Sequence, residues 1–282
     1  MLPSSFTLYA GASRGVGLEE KPLSSYHADM DGDPFFSLIL LILEDTRFIS
    51  LSLDSIASQD FTSFEVLVFV KQLGEKDREL LSSYAHLPMK VHDVVEANLG
   101  KTANLEVEMS RGDYLHFFLP GEKYLWDGAL QELHAILLKD RPDLFCSSTL
   151  ARVGPFPEVI QSRVYFWDLK IGETGAYLNA VLFSRSLFSR YFLFDASRKY
   201  HPGFDFLVKI AKVKNLQVHL ARKVYIDKEI EQARRNESLG EYIERFWIIL
   251  RHFGIRKALL FFFRALIFKG KKALMKAKAL FR

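Results

Sequence analysis

The chain has 282 residues, 49% of them hydrophobic and 26% charged, which suits one large folded core and excludes disorder throughout. Its one cysteine, Cys146, excludes an internal disulfide, and the start lacks the basic, apolar and small-residue pattern of a signal peptide, so a reducing, cytoplasmic setting is expected. The net charge of +4 is uneven: Arg251 to Arg282 hold ten Lys or Arg and no acid, leaving 28 basic against 34 acidic side chains, or −6, in the first 250 residues. That split argues against a nucleic-acid-binding core and assigns the basicity to a tail with its own anionic partner.

Residues 1–33 begin with a glycine-rich stretch, Gly11-Ala12-Ser13-Arg14-Gly15-Val16-Gly17, of the kind that cradles a pyrophosphate at a helix start. Such a loop needs a strand before it and a long apolar helix after it, whereas here Leu18-Glu19-Glu20-Lys21-Pro22 and a Ser/Asp/Gly-rich run follow. A dinucleotide-binding reading is therefore rejected, and residues 1–33 are expected to be a flexible leader. Phe35 to Leu43 is a continuous apolar run that predicts a strand buried on both faces, and Ile49, Leu53 and Ile56 then recur at helical spacing. A second strand is predicted at Phe64 to Val70, a polar helix at Lys76 to Tyr84, a third strand at Met89 to Val95, a helix at Thr102 to Ser110, and a fourth strand at Tyr114 to Phe118. This alternation predicts an α/β fold with a mostly parallel sheet flanked by helices. Open sheets of that kind bind ligands at the carboxyl ends of their strands, so the loops after the first, second and fourth strands should meet at the site.

Within this frame Leu53-Asp54-Ser55-Ile56, Gln59, Phe61 and Phe64-Glu65-Val66-Leu67-Val68 fall at fixed spacing, and Gly100-Lys101, Asn104, Gly112-Asp113-Tyr114 and Phe117 follow in order. These segments resemble the first helix, second strand and entry into the fourth strand of family 2 glycosyltransferases. The resemblance covers about residues 35–225 and implies a GT-A (nucleotide-diphospho-sugar transferase-like) domain at 34–235, a nucleotide-sugar donor and an inverting transfer. Three site motifs depart from the family pattern. Val70-Lys71-Gln72-Leu73 replaces the Asp-containing loop that binds the donor base. Phe118-Leu119-Pro120-Gly121-Glu122 replaces Asp-x-Asp, so that Leu119 removes the first acid and Glu122 alone stands where the second would hold Mg²⁺ or Mn²⁺. One carboxylate with phosphate oxygens holds such an ion weakly; the alternative is a plain turn with a surface acid.

The resemblance implies donor contacts from Lys71, from Lys101 and Asn104 in the Gly-Lys segment, and from Glu44 and Asp45 after the first strand, the last two reading equally as acids at a solvated helix N-terminus. Lys71, Lys101 and Lys123 could each neutralise diphosphate charge as point cations, or be solvated surface lysines. Gly203-Phe204-Asp205 resembles the family's second acidic motif with Phe204 in place of its Glu, which makes Asp205 the candidate general base for an acceptor hydroxyl. Its alternative role is to open the helix running to Val213. His201 reads either as a metal or phosphate ligand or as an ordinary loop residue.

A strand is expected at Gly175 to Phe183, and an amphipathic helix at Leu239 to His252 opens a basic tail over 236–282. Phe253-Gly254 breaks this tail before Ile255 to Phe268. Its lysines interleaved with Leu, Phe and Met describe a helix lying in an anionic membrane interface through residues 251–282, or one packed on the domain or a second subunit; no apolar run is long enough to span a bilayer. The function expected is a glycosyltransferase acting on a glycan or lipid-linked acceptor at the inner face of a membrane. The alternative is a GT-A-like binding module without catalysis. No nucleic-acid partner is expected.

Overall fold

A computed structural model describes residues 32–42, 46–71, 73–94, 98–153, 156–161, 180–228 and 238–262. The leader falls almost wholly outside them, as do Glu44, Asp45 and residues 263–282. In chain order the elements are β1 Phe36–Ile42, α1 Ile49–Ala57, β2 Phe64–Val70, α2 Glu75–Ser83, β3 Met89–Asp93, α3 Leu99–Met109, β4 Tyr114–Phe118, β5 Glu122–Tyr124, α4 Ala129–Asp140, β6 Leu144–Val153, β7 Phe156–Gln161, β8 Val181–Ser184, α5 Arg185–Arg190, α6 Pro202–Ile210, β9 Val218–Lys228 and α7 Leu239–Phe253. The nine strands form one sheet in the order β3-β2-β1-β4-β8-β6-β9-β5, with β7 on β6.

The parallel half is the part predicted from apolar runs. β1 pairs in parallel with β2 (Phe36 opposite Phe64) and with β4 (Phe36 opposite Tyr114), and β2 with β3. β1 has no solvent-facing side: Phe36, Leu38 and Leu40 belong to one core and Ile39 to the other, on the opposite face. Beyond β4 the sheet turns mixed, because β8 runs antiparallel to both β4 and β6, while β6 and β9 are parallel again. The sheet is thus parallel without interruption from β3 to β4 and mixed beyond it.

The motif residues sit where hydrogen bonds tie elements together. Glu65, buried at the start of β2, accepts from Ser37 Oγ at 2.7 Å and from the Arg111 backbone N–H at 2.7 Å, and Ser37 Oγ accepts from the Gly112 N–H at 2.8 Å. A Cβ on Gly112 would stand 2.4 Å from the Ser37 nitrogen, so the close approach of the α3–β4 turn to β1 requires glycine. Gln59 joins α1 to α4 by donating to the Trp126 carbonyl and accepting from the Leu130 N–H, both at 3.0 Å. Asp54 accepts from the Tyr84 hydroxyl at 2.6 Å, fixing α1 against α2.

α7, which the sequence assigns to a tail, packs on the domain: Ile248 and Ile249, followed by Ala258 and Phe261 in the helical segment 255–262, share a core with Phe204, Phe206 and Leu207 of α6. Between them Gly254 takes φ +82°, in the left-handed region, which lets the chain change direction after α7.

One buried acid works against this core. Glu106 of α3 is fully buried, its Oε1 has no hydrogen-bond partner among the described residues, and burial raises its pKa from 4.5 to about 8. A raised carboxyl pKa contributes stability that is present below 4.5 and lost as pH rises toward 8. Glu106→Met should therefore stabilise the fold by about 3 kcal/mol at neutral pH, read from urea unfolding, with a smaller gain at pH 5. An equal gain at both pH values would show that Glu106 does not titrate as its burial requires.

Candidate functional site

β2, β1 and β4 end side by side, so the loops after them share the carboxyl edge of the sheet, as the parallel order demands. Lys71 follows β2 directly, half-buried, with its N–H donating to the Ile42 carbonyl at 3.1 Å. β4 runs into Leu119-Pro120-Gly121-Glu122. Gly121 holds φ +88°, and its N–H points at the Phe48 carbonyl (3.1 Å) and Ser52 Oγ (3.0 Å) at the start of α1. The Glu122 N–H donates to the Leu119 carbonyl at 3.0 Å and the Leu119 N–H returns a 2.8 Å bond to Glu122 Oε2, so backbone and side chain close the same turn.

The other carboxylate oxygen of Glu122, Oε1, lies 2.9 Å from Lys228 Nζ. This pair is a product of register: β5 and β9 are antiparallel with Glu122 opposite Lys228 and Lys123 opposite Asp227, and Lys123 Nζ stands 3.7 Å from Asp227 Oδ2. Divalent Mg²⁺ and Mn²⁺ take oxygen ligands. At this turn Leu119 supplies none, and Glu122, almost fully buried, has one oxygen on an amide and the other on an ammonium. Among the described residues no group of three His, Cys, Asp or Glu is placed to hold a metal. The residues present do not fit a divalent ion at Glu122, because a tethered cation already stands against its free oxygen.

The other sequence candidates gather elsewhere. Asn104 uses both ends of its amide on Phe194, donating to its carbonyl at 3.0 Å and accepting from its N–H at 2.8 Å. Asn98 caps α3 by accepting from the Lys101 N–H at 3.0 Å and donates to the Ala196 carbonyl at 3.1 Å. A Cβ on Gly100 would meet the Asp195 carbonyl oxygen at 2.3 Å, so this glycine lets the start of α3 lie against the 194–198 loop. The Gly-Lys-x-x-Asn segment is thus a clamp on that loop. Lys101 is exposed in the first turn of α3.

Asp205 lies in the first turn of α6 and is fully buried. Lys209 Nζ is 2.5 Å from its Oδ2, while His252 Nε2 stands 3.2 Å and Arg198 Nη2 3.6 Å from its Oδ1. Asp195 adds a second carboxylate to the cluster, 3.5 Å from Arg198, and its pKa is lowered, chiefly by a hydrogen bond from Ser197. A general base must reach the proton it takes. The Asp205 carboxylate is fully buried and faces Lys209, His252 and Arg198, which ties α6 to α7. Glu244 of α7 reinforces the contact by accepting from the N–H groups of Lys199, Tyr200 and His201, at 2.9, 3.0 and 2.7 Å. His201 Nε2 lies 3.1 Å from the Glu241 carbonyl, so that ring belongs to the same joint. Arg198, Lys209, Glu244 and Lys228 were missed by sequence reasoning. Only the i,i+4 spacing of Asp205 and Lys209 signals one of them in advance.

His252 Nδ1 faces Lys212 Nζ at 2.9 Å while its Nε2 faces Asp205. An ammonium only donates, so the ring is neutral with its proton on Nε2, and burial lowers the His252 pKa below 6.5 against the opposing pull of Asp205. A lowered histidine pKa means that the unfolded chain binds the proton first, so stability falls as pH drops below about 6.5. His252→Gln should remove that slope in a plot of Tm against pH. Asp205→Asn should cost about 3 kcal/mol of unfolding free energy by urea titration, because it leaves the half-buried Arg198 and Lys209 without their counter-charge. A variant as stable as the parent would show that the cluster does not hold α7.

No family model and no curated protein sequence matches the chain. Solved structures do. S. aureus TarS superposes with a TM-score of 0.59 at 17% identity over 76% of this chain and 38% of that one, so the chain spans about two fifths of that protein. S. aureus TarS 1–349, in complex with UDP-GlcNAc, gives a TM-score of 0.56 at 16% identity over 80% of this chain and 70% of that one. The mannosyltransferase PcManGT from Pyrobaculum calidifontis, in complex with GDP-Man and Mn²⁺, gives 0.51 at 11% identity over 89% and 81%. The α/β fold of this chain is GT-A-like and resembles that of these structures.

Proposed function

We propose that the chain is an inverting glycosyltransferase that moves a sugar from a nucleotide-sugar donor to a glycan or lipid-linked acceptor, working peripherally on the cytoplasmic face of a membrane. The observation that carries this reading is the carboxyl edge of β2, β1 and β4, where Lys71 and the Glu122–Lys228 pair stand at the ligand-binding end of a sheet shared with structures that hold UDP-GlcNAc and GDP-Man. A diphosphate leaving group develops negative charge as the glycosidic bond breaks, and fixed cations at that point lower the barrier. Lys228 is held by Glu122 and supplies such a charge without a divalent ion, with Lys71 after β2 as a further cation. Lys101 and Asn104 support the site from α3, Asn104 by holding the 194–198 loop. Asp205 acts as acceptor base only in a state where His252 and Lys209 withdraw from it; in the state described it is a positioning residue. The acid-free tail, residues 251–282, supplies the attraction to an anionic membrane. Among the described residues no helix is long and apolar enough to cross one.

The second reading, a binding module without catalysis, is favoured by the same two carboxylates, since Glu122 and Asp205 are both engaged within the protein. A thermal-shift measurement with UDP-GlcNAc and GDP-mannose separates the two, because a ligand of the folded state raises its Tm. The transferase reading expects one of the two to raise Tm by the same amount in EDTA as in Mn²⁺, and Lys228→Met to weaken that nucleotide about tenfold. A shift that requires Mn²⁺ would overturn the role given to Lys228. No shift with either would favour the binding module.

A further inference from the structure

α7 has two apolar faces, and only one of them is covered. Ile248 and Ile249 point into the core, whereas Leu239, Ile243 and Trp247, at i, i+4 and i+8 on one stripe, are exposed, Leu239 to 72% and Trp247 to 57%. The stripe does not end with α7. In the segment 255–262 Ile255, Leu259, Leu260 and Phe262 are exposed while Ala258 and Phe261 are buried, repeating the same division. One ring contact joins the helices, since Phe246 lies 6.2 Å from Phe262 between centroids. Seven large apolar side chains on two adjoining helices exceed the scattered singles that a soluble surface carries.

The charges around this face identify what covers it. The two acids of α7 are both engaged: Glu241 caps the helix through the Ser238 N–H at 2.9 Å, and Glu244 accepts from the N–H groups of the loop at 199–201. From Arg245 to Arg282 the sequence contains eleven Lys or Arg and no acid. An apolar stripe of Trp, Ile, Leu and Phe leading into a sequence with bases and no acid fits the boundary between the headgroups and acyl chains of an anionic bilayer, where the apolar side chains insert and the bases meet phosphate.

We propose that Leu239, Ile243 and Trp247 of α7, together with the outer face of 255–262, form a rigid docking surface for an anionic lipid bilayer, so that the folded domain itself, and not only the basic tail, lies on the membrane. This rests on the membrane part of the proposed function and extends it. Because Glu244 ties α7 to the 199–201 loop and His252 ties it to Asp205, docking fixes the orientation of the α6 side of the domain at the bilayer, where a lipid-linked acceptor resides.

The test uses the full chain with phosphatidylcholine vesicles, with and without phosphatidylserine, carrying brominated acyl chains that quench only tryptophans in contact with them. Quenching is expected with phosphatidylserine present and is expected to disappear in Trp247→Phe, which leaves Trp126 and Trp167 in place. Ile243→Ser with Trp247→Ser should weaken vesicle binding about tenfold with an unchanged far-ultraviolet circular dichroism spectrum. Binding to vesicles with no quenching at Trp247 and no loss in the double variant would overturn the docking surface while leaving the tail as anchor. Failure to bind any anionic vesicle would overturn both it and the membrane reading. A dimer in sedimentation without lipid, broken by the double variant, would assign the stripe to a second copy of the chain and equally overturn the proposal.

Discussion

A strand with no exposed side is the constraint from which the rest of the fold follows. β1 must have its backbone groups paired on both edges and its side chains covered on both faces, because an unpaired peptide group in a dry interior costs about as much as a lost hydrogen bond. β2 and β4 provide the edges, in parallel and in register from Phe36 onward. Parallel neighbours need crossover connections, which bring α1 and α3 onto the sheet and leave the loops after β1, β2 and β4 at one edge. The location of the candidate site is a consequence of covering β1.

The residues that make the chain look like a glycosyltransferase mostly maintain this arrangement. Glu65 bonds Ser37 and the turn before β4, Gln59 bonds α1 to α4, Asp54 meets Tyr84, and Asn104 holds Phe194. Each is a polar group taken out of water and given partners on a distant segment. Such a group is hard to replace, because removing one partner leaves the other buried and unsatisfied. The turn after β4 contains Pro120 and Gly121 and is closed by Glu122, and that acid faces Lys228.

Charge is handled by local pairing. Asp205 and Asp195 are surrounded by Arg198, Lys209 and the neutral ring of His252, and Glu122 by Lys228, so that buried carboxylates are compensated within one or two contacts. The first cluster joins α7 to α6 and thereby makes the C-terminal helix part of the domain. The helix is held from its inner face by the hydrogen bonds of His252 and Glu244 and by Ile248 and Ile249, while its outer apolar stripe stays exposed among the described residues.

The apolar runs of β1, β2 and β4, the helical spacing of Ile49, Leu53 and Ile56 and the acid-free C-terminal stretch were legible from the order of residues, because short-range periodicity and composition decide them. The elements end within one to three residues of the positions predicted for them up to β4. The mixed half of the sheet was not legible, since β6, β8 and β9 pair across long separations that no local pattern encodes. The same holds for chemistry: Asp205 carries the spacing of a catalytic acid, yet its partners Arg198 and His252 come from a loop and from a helix 47 residues away, and they decide what the carboxylate touches. Lys228 meets Glu122 only through the register of β5 and β9. Sequence by itself determined the strands and helices up to β4, the helix at Leu239 and where the basic charge lies. Only tertiary structure decided which charged groups face one another, because burial and pairing depend on distances that the chain acquires on folding.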